Sequence, residues 1–188
     1  PIEVMRQVID QMGADDITIA YGLTEASPVV TQTLTGDTIE RRVATVGRVL
    51  PEVEVKLVDP ETGLEAATGE QGELRTRSFM VMKGYYNNPE ATAETITTEG
   101  WLRTGDIGIM NDRGYVRITD RKKDMFIVGG FNAYPAEIEG FLLEHPAVAQ
   151  AAVIGVPDER YGEEVTAVVS LKPGASASPR EIIEFCKQ

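Results

Sequence analysis

The chain has 188 residues, 42% of them hydrophobic and 26% charged, the composition of ordinary globular protein and enough for one large domain or two smaller ones. Its formal net charge of −12 argues against nucleic acid as a partner, because gripping a phosphate backbone needs a basic face, although a single nucleotide can still be held by local groups. The single cysteine, Cys186, excludes an internal disulfide, and the single histidine, His145, leaves little scope for a Ser-His triad or a histidine metal site.

No secretory signal and no run of about eighteen apolar residues is visible, which predicts a chain that does not itself span a membrane. The cytoplasm is the expected compartment; peripheral membrane contact and oligomeric state stay open.

Met5, Val8, Ile9 and Met12 recur at helical spacing with Gly13 as a stop, and Asp16 to Ala20 then reads as a short buried strand. This puts Tyr21-Gly22-Leu23-Thr24-Glu25-Ala26-Ser27-Pro28 at a strand's carboxyl end, where ligands bind in open α/β sheets. The segment holds a ring able to stack on a purine and a glycine through which backbone can approach a ligand. A hydroxyl suited to a phosphate oxygen and a hard carboxylate suited to Mg²⁺ follow at once. Tyr-Gly or Thr-Glu alone would be an ordinary polar loop; the ordered octapeptide is much harder to obtain by accident.

Downstream, residues 52–59 alternate with Val53, Val55 and Leu57 on one face, predicting a half-buried strand. Pro60-Glu61-Thr62-Gly63 closes it as a turn, and Gly72 to Arg77 returns as a second strand, so this stretch reads as antiparallel β structure. Trp101-Leu102-Arg103-Thr104-Gly105-Asp106 leads into an apolar run to Met110, a turn at Asn111-Asp112-Arg113-Gly114, and a second run from Tyr115 to Thr119. That is a hairpin with Asp106 at its entrance, where the carboxylate could hold both hydroxyls of a ribose or simply form the turn.

From Asp120 a charged run gives way to an apolar strand, the pair Gly129-Gly130, and a helix with Pro135 in its first turn, where a missing N–H does no harm. Ile138, Phe141 and Leu142 form a helical stripe, strands follow near Val148 to Val156 and Val165 to Leu171, and Ser178-Pro179-Arg180-Glu181 signals a capping box. The helix it opens has Ile182, Ile183 and Cys186 as its first apolar positions. His145, before Pro146, reads as a surface or capping residue.

The segments Tyr21 to Pro28, Trp101 to Asp106 and Asp120 to Glu139, in this order, resemble the adenylate-forming superfamily of acyl- and aryl-CoA synthetases, luciferases and peptide-synthetase adenylation domains. Gly84-Tyr85-Tyr86-Asn87-Asn88-Pro89-Glu90-Ala91-Thr92 is similar to that family's Gly-Tyr-x-x-x-Pro-Glu-x-Thr stretch. The resemblance runs along essentially the whole chain, and in wording it is nearest the fatty-acyl-CoA synthetases.

The fold so implied is α/β with an antiparallel β subdomain. Residues 1–122 would be the C-terminal part of the large AMP-binding domain, and residues 123–188 a small, mobile, truncated α+β domain. The implied reaction joins a carboxylic acid, here a fatty acid, to the α-phosphorus of ATP with loss of pyrophosphate, after which the thiol of CoA displaces AMP. ATP/AMP, Mg²⁺ and coenzyme A are the implied cofactors. By the same resemblance Tyr21 stacks on adenine beside Gly22, Thr24 contacts the α-phosphate region and Glu25 binds magnesium. Asp106 holds the ribose hydroxyls, Arg121 reaches ribose or phosphate, Lys123 is the hinge of the small domain, and Gly130 lines the pantetheine channel.

The chain opens at Pro1 without an initiator methionine and ends inside a predicted helix at Gln188. It carries neither the family's Ser/Thr/Gly-rich phosphate loop nor its adenylating lysine. It therefore reads as a piece of a synthetase, unable alone to make adenylate at a useful rate. Two alternatives remain: an acyl-AMP ligase handing its product to a carrier protein or to oxygen, and a nonenzymatic binding module.

Overall fold

The structure, a computed structural model, describes residues 2–14 and 16–187. The chain is α/β with antiparallel sheets and divides into two compact units, Pro1–Ile118 and Thr119–Gln188.

In the first unit, helix α1 (Ile2–Met12) ends where the N–H of Gly13, at φ +64°, reaches back to the Ile9 carbonyl at 3.0 Å. A left-handed glycine closes helices in this way because it has no Cβ to clash. The strand expected over Asp16 to Ala20 is not there. Residues 16–19 are turn and coil, half-buried at most, and the strand, β1, is Ala20–Gly22. The pairing partner decides this: Ile19 bonds to Thr33 through that residue's N–H (2.9 Å) and hydroxyl (2.8 Å), and a regular ladder begins only at Ala20 opposite Gln32. β1 runs antiparallel to β2 (Val29–Gln32), which pairs with β3 (Arg48–Val49), so Tyr21 and Gly22 lie within a strand of an antiparallel sheet and not beyond a parallel one.

Helix α2 (Ile39–Ala44) supplies a polar clamp. Arg42, only 8% exposed, donates to the carbonyls of Ile17 (2.8 Å), Asp37 (2.9 Å) and Thr35, thereby holding the segment that leads into β1. The buried Asp37 accepts from the Tyr115 hydroxyl at 2.6 Å, from the Leu34 N–H and from Arg41. Burial alone would raise its pKa, but these hydrogen bonds outweigh it and hold the carboxyl below the ordinary 3.8. Its contribution to stability is therefore present above that value and is lost as pH falls through the depressed folded pKa. Arg42→Met would leave three carbonyls without their cationic donor. Losing about 3 kcal/mol in this way should lower the thermal midpoint by roughly 6–12 °C, as followed by circular dichroism; a change under about 2 °C would contradict the clamp.

The second sheet of this unit has the order β4-β5-β6-β7, with β4 at Glu54–Val58, β5 at Gln71–Arg77, β6 at Leu102–Met110 and β7 at Val116–Arg121. β4 and β5 pair antiparallel as the alternation and turn signals require, packing Leu57, Leu74 and Val116 into one core. Trp101 is nearly buried between the Lys56 ammonium (4.3 Å) and the Arg77 guanidinium (4.6 Å), an aromatic face shared by two cations. A short helix, α3 (Pro89–Thr95), is capped by the Asn88 side chain, which accepts from the Ala91 N–H at 3.1 Å.

In the second unit β8 (Phe126–Val128) and β9 (Phe131–Ala133) form a hairpin, followed by α4 (Pro135–Leu143), β10 (Val148–Asp158), β11 (Gly162–Leu171) and α5 (Pro179–Phe185). The sheet order is β10-β11-β8-β9, with Phe126, Leu142 and Val153 as its core. A Cβ at position 155 would lie 2.7 Å from the Phe126 ring, so Gly155 is what lets that ring in. The capping box forms as its residues require: the Ser178 hydroxyl accepts from the Glu181 N–H while Glu181 accepts from the Ser178 N–H at 2.7 Å. His145 is a local capping residue, its Nδ1 accepting from the Ala147 N–H at 3.2 Å and its ring edge-on to Phe185. Among the described residues no helix is long and apolar enough to cross a membrane.

Candidate functional site

The loop after β1 is built around a close approach of chain to chain. A Cβ on Gly22 would sit 1.7 Å from the Pro28 carbonyl oxygen, where the β1–β2 register shifts. The glycine is thus demanded by its own hairpin, a reason different from the approach to a ligand expected of it. Thr24–Ala26 then form a single 3₁₀ turn, pinned by the buried Ala26 and by Ser27 in the left-handed region at φ 52°. This leaves Thr24 exposed and Glu25 half-buried.

Asp106 is not at a hairpin entrance but in the middle of β6. Thr104-Gly105 lies in a bulge within the strand. Glu73 faces Ile107 while Arg75 faces Arg103, so extra residues of β6 are accommodated opposite Leu74. Gly105 takes φ +75°, and Thr104 locks the bulge by donating to the Leu74 carbonyl (2.7 Å) and accepting from the Asp106 N–H (3.1 Å). Bulges re-aim side chains, and this one delivers the Asp106 carboxylate to the Tyr21 hydroxyl, which donates to Oδ2 at 2.5 Å.

Two of the expected residues, far apart in sequence, are therefore one structural unit. Tyr21 is half-buried and packs against both hydrophobic clusters of the first unit, one with Ala26, Val30, Val53 and Leu102 and the other with Leu57, Leu74 and Val116. A ring so held, tethered at its hydroxyl, offers a fixed platform for a flat base. A carboxylate can accept about four hydrogen bonds, so the phenol does not exhaust Asp106.

Glu25 has a partner that sequence reasoning did not single out. The Tyr85 hydroxyl donates to Glu25 Oε1 at 2.8 Å, and the Met82 N–H bonds to the Glu25 carbonyl at 2.8 Å. The Tyr85 phenol has a raised pKa, first because its proton is engaged by the Glu25 carboxylate and then because it is partly desolvated; the Thr95 hydroxyl acts in the opposite sense. The only signal was the Gly-Tyr-x-x-x-Pro-Glu-x-Thr wording, and nothing in it says which group the tyrosine reaches. Among the described residues no cluster of three His, Cys, Asp or Glu side chains could cage a metal. One hard carboxylate suits Mg²⁺ that is shared with substrate phosphates, and Glu25 fits that use.

Arg121, Lys123 and Gly130 belong to the second unit. Arg121 ends β7 with an exposed side chain. Lys123 is exposed in the turn closed by the Asp124 N–H on the Arg121 carbonyl at 3.0 Å. Asp120, only 7% exposed, spans this turn: Oδ1 accepts from the Arg121 N–H at 2.6 Å and Oδ2 from the Ala136 N–H at 2.9 Å. Gly129 and Gly130 are the two-residue loop joining β8 to β9, with φ +58° and +91°, the positive pair that a tight type I′ hairpin requires.

Comparison with known proteins gives the same residues a context. The AMP-binding enzyme family matches residues 1–86 and the AMP-binding enzyme C-terminal domain matches residues 137–188. Bacillus subtilis YngI, provisionally named an acyl-CoA synthetase, is 56% identical over 187 residues, covering 100% of this chain and 34% of its own length. The mouse mitochondrial medium-chain acyl-CoA ligase ACSF2 is 44% identical over 187 residues, 100% of this chain and 30% of its own. The ATP-bound crystal structure of MatB from Rhodopseudomonas palustris superimposes with a TM-score of 0.83 at 39% identity, over 91% of this chain and 33% of that one. The chain thus spans about a third of the length of the relatives it matches. With AMP-binding families matching both of its ends and acyl-CoA ligases aligning along its length, the chain belongs to the adenylate-forming enzymes, in their acyl-CoA synthetase branch.

Proposed function

We propose that the enzyme containing this chain is an ATP-dependent acyl-CoA synthetase. It activates a fatty acid as acyl-AMP with release of pyrophosphate, then transfers the acyl group to CoA with release of AMP. The observation that supports the nucleotide half is the 2.5 Å bond between Tyr21 and Asp106, which sets an aromatic ring and a carboxylate side by side. The names of the relatives support the acyl-CoA half.

In this reading Tyr21 stacks on adenine, Asp106 accepts the ribose hydroxyls, and Thr24 donates to an oxygen near the α-phosphate. Arg121 offers a planar fork to ribose or phosphate oxygens. Glu25 holds Mg²⁺, which when bound supplies charge neutralisation at the phosphates. A carboxylate is a poor electrophile, and converting it to a mixed anhydride gives the thiol a leaving group. Because the two steps need different partners at one acyl group, a small domain pivoting at Lys123 is useful, with residues 1–122 on one side of the pivot and Gly130 leaving room for pantetheine on the other. The cytoplasm is the proposed setting.

The full-length enzyme should convert members of a fatty-acid panel, medium lengths included, to acyl-CoA with ATP and CoA. Formation of acyl-AMP without transfer to free CoA, but with transfer to a carrier protein, would shift the reading to a carrier-loading ligase. No acyl product from any acid would end it.

A further inference from the structure

We propose that Tyr85 is a positioning residue for the metal-binding carboxylate: its hydroxyl fixes Glu25 so that the remaining oxygen of that side chain is presented to the cation. The proposal rests on the assignment of Glu25 to Mg²⁺ made above.

The segment around Tyr85 is constructed to deliver that hydroxyl. Gly84 adopts φ +150° and lies so close to Thr92 that a Cβ there would be 2.8 Å from the Thr92 methyl. This tight contact lets the Tyr85 N–H reach the Thr92 hydroxyl at 2.9 Å, while the Tyr85 carbonyl accepts from the Asn88 N–H at 3.2 Å. Thr92 in turn donates to the Asn88 carbonyl at 2.8 Å, and Asn88 caps α3. Tyr85 is therefore tied at both of its backbone polar groups. The Met82 N–H on the Glu25 carbonyl then fastens the same segment to the 3₁₀ turn that carries Glu25.

The contrast with the next residue is informative. Tyr86 is 93% exposed, whereas Tyr85 is 39% exposed and reaches a carboxylate 60 residues away in sequence. A glutamate on a surface turn ordinarily samples several rotamers, and ordering it on cation binding carries an entropic penalty. A phenol already seated on Oε1 removes part of that penalty before the cation arrives. Such outer partners of metal ligands commonly alter metal affinity by 10–100-fold when removed.

The test uses full-length enzyme with Mn²⁺, which takes the same oxygen ligands as Mg²⁺ and is read directly from the electron paramagnetic resonance signal of the free ion. A non-hydrolysable ATP analogue is present, so no turnover is needed. Tyr85→Phe should weaken Mn²⁺ binding about tenfold, with metal-free AMP affinity and thermal midpoint unchanged. In the double variant with Glu25→Gln, Tyr85→Phe should add little, because two groups acting through one contact are not additive. Unchanged Mn²⁺ affinity in Tyr85→Phe, or a full additional loss on top of Glu25→Gln, overturns the proposal. Unchanged Mn²⁺ affinity in Glu25→Gln alone overturns the metal assignment itself and the Tyr85 proposal with it.

Discussion

Asp106→Ala in the full-length enzyme should weaken AMP binding by on the order of a hundredfold, measured by calorimetry. Two hydrogen bonds from ribose hydroxyls to an ionised carboxylate are together worth about 3 kcal/mol, or roughly two decades of affinity. The substitution also removes the acceptor of the Tyr21 hydroxyl, so the ring loses its tether as well as the ribose its anchor. Tyr21→Phe separates these effects. It keeps the ring and removes only the tether, and should cost no more than about tenfold, one ordinary hydrogen bond. An unchanged nucleotide affinity in Asp106→Ala would remove the ribose assignment, and with it the strongest geometric support for an AMP site.

Lys123→Pro should slow thioester formation at least about tenfold more than adenylation when the two half-reactions are followed separately in single turnovers. Lys123 occupies the third position of the turn that Asp124 closes onto Arg121, and proline there forces the preceding residue out of the helical region that a type I turn uses. It also locks φ near −65°, denying the chain the dihedral change that a pivot needs. In the proposed reading adenylation uses one pose and the complete cycle two. Equal loss in both half-reactions, with thermal stability preserved, would argue that the swing occurs elsewhere.

Local signals were legible wherever the physics is local. The Ser178 to Glu181 box, the Gly13 stop and the alternation through Val53, Val55 and Leu57 each depend on neighbours within a few residues, and each has the expected form. The misreadings involve distant partners. Ile17 to Ala20 has the apolar content of a strand, but its pairing is set by Thr33, which no local pattern reveals. Asp106 reads as the entrance of a hairpin, and only the register against Glu73 and Arg75 reveals the bulge that aims it from mid-strand. Gly22 has a structural duty that its local sequence does not show, because the carbonyl it makes room for, that of Pro28, becomes its neighbour only when the hairpin closes. The candidate site was readable as a set of residue types; the hydrogen bonds joining Tyr21 to Asp106 and Tyr85 to Glu25 were not.

Asp120 has a bearing on how the enzyme would switch. One oxygen of its carboxylate grips the chain before Lys123 and the other grips the first turn of α4 beyond it. If the pivot proposed at Lys123 carries α4 away from Asp120, one of these bonds must open, so in that reading the carboxylate would act as a detent on the swing. The fastening is short, almost fully shielded from solvent and built from one residue, so in that reading a single carboxylate would set the ease of the swing.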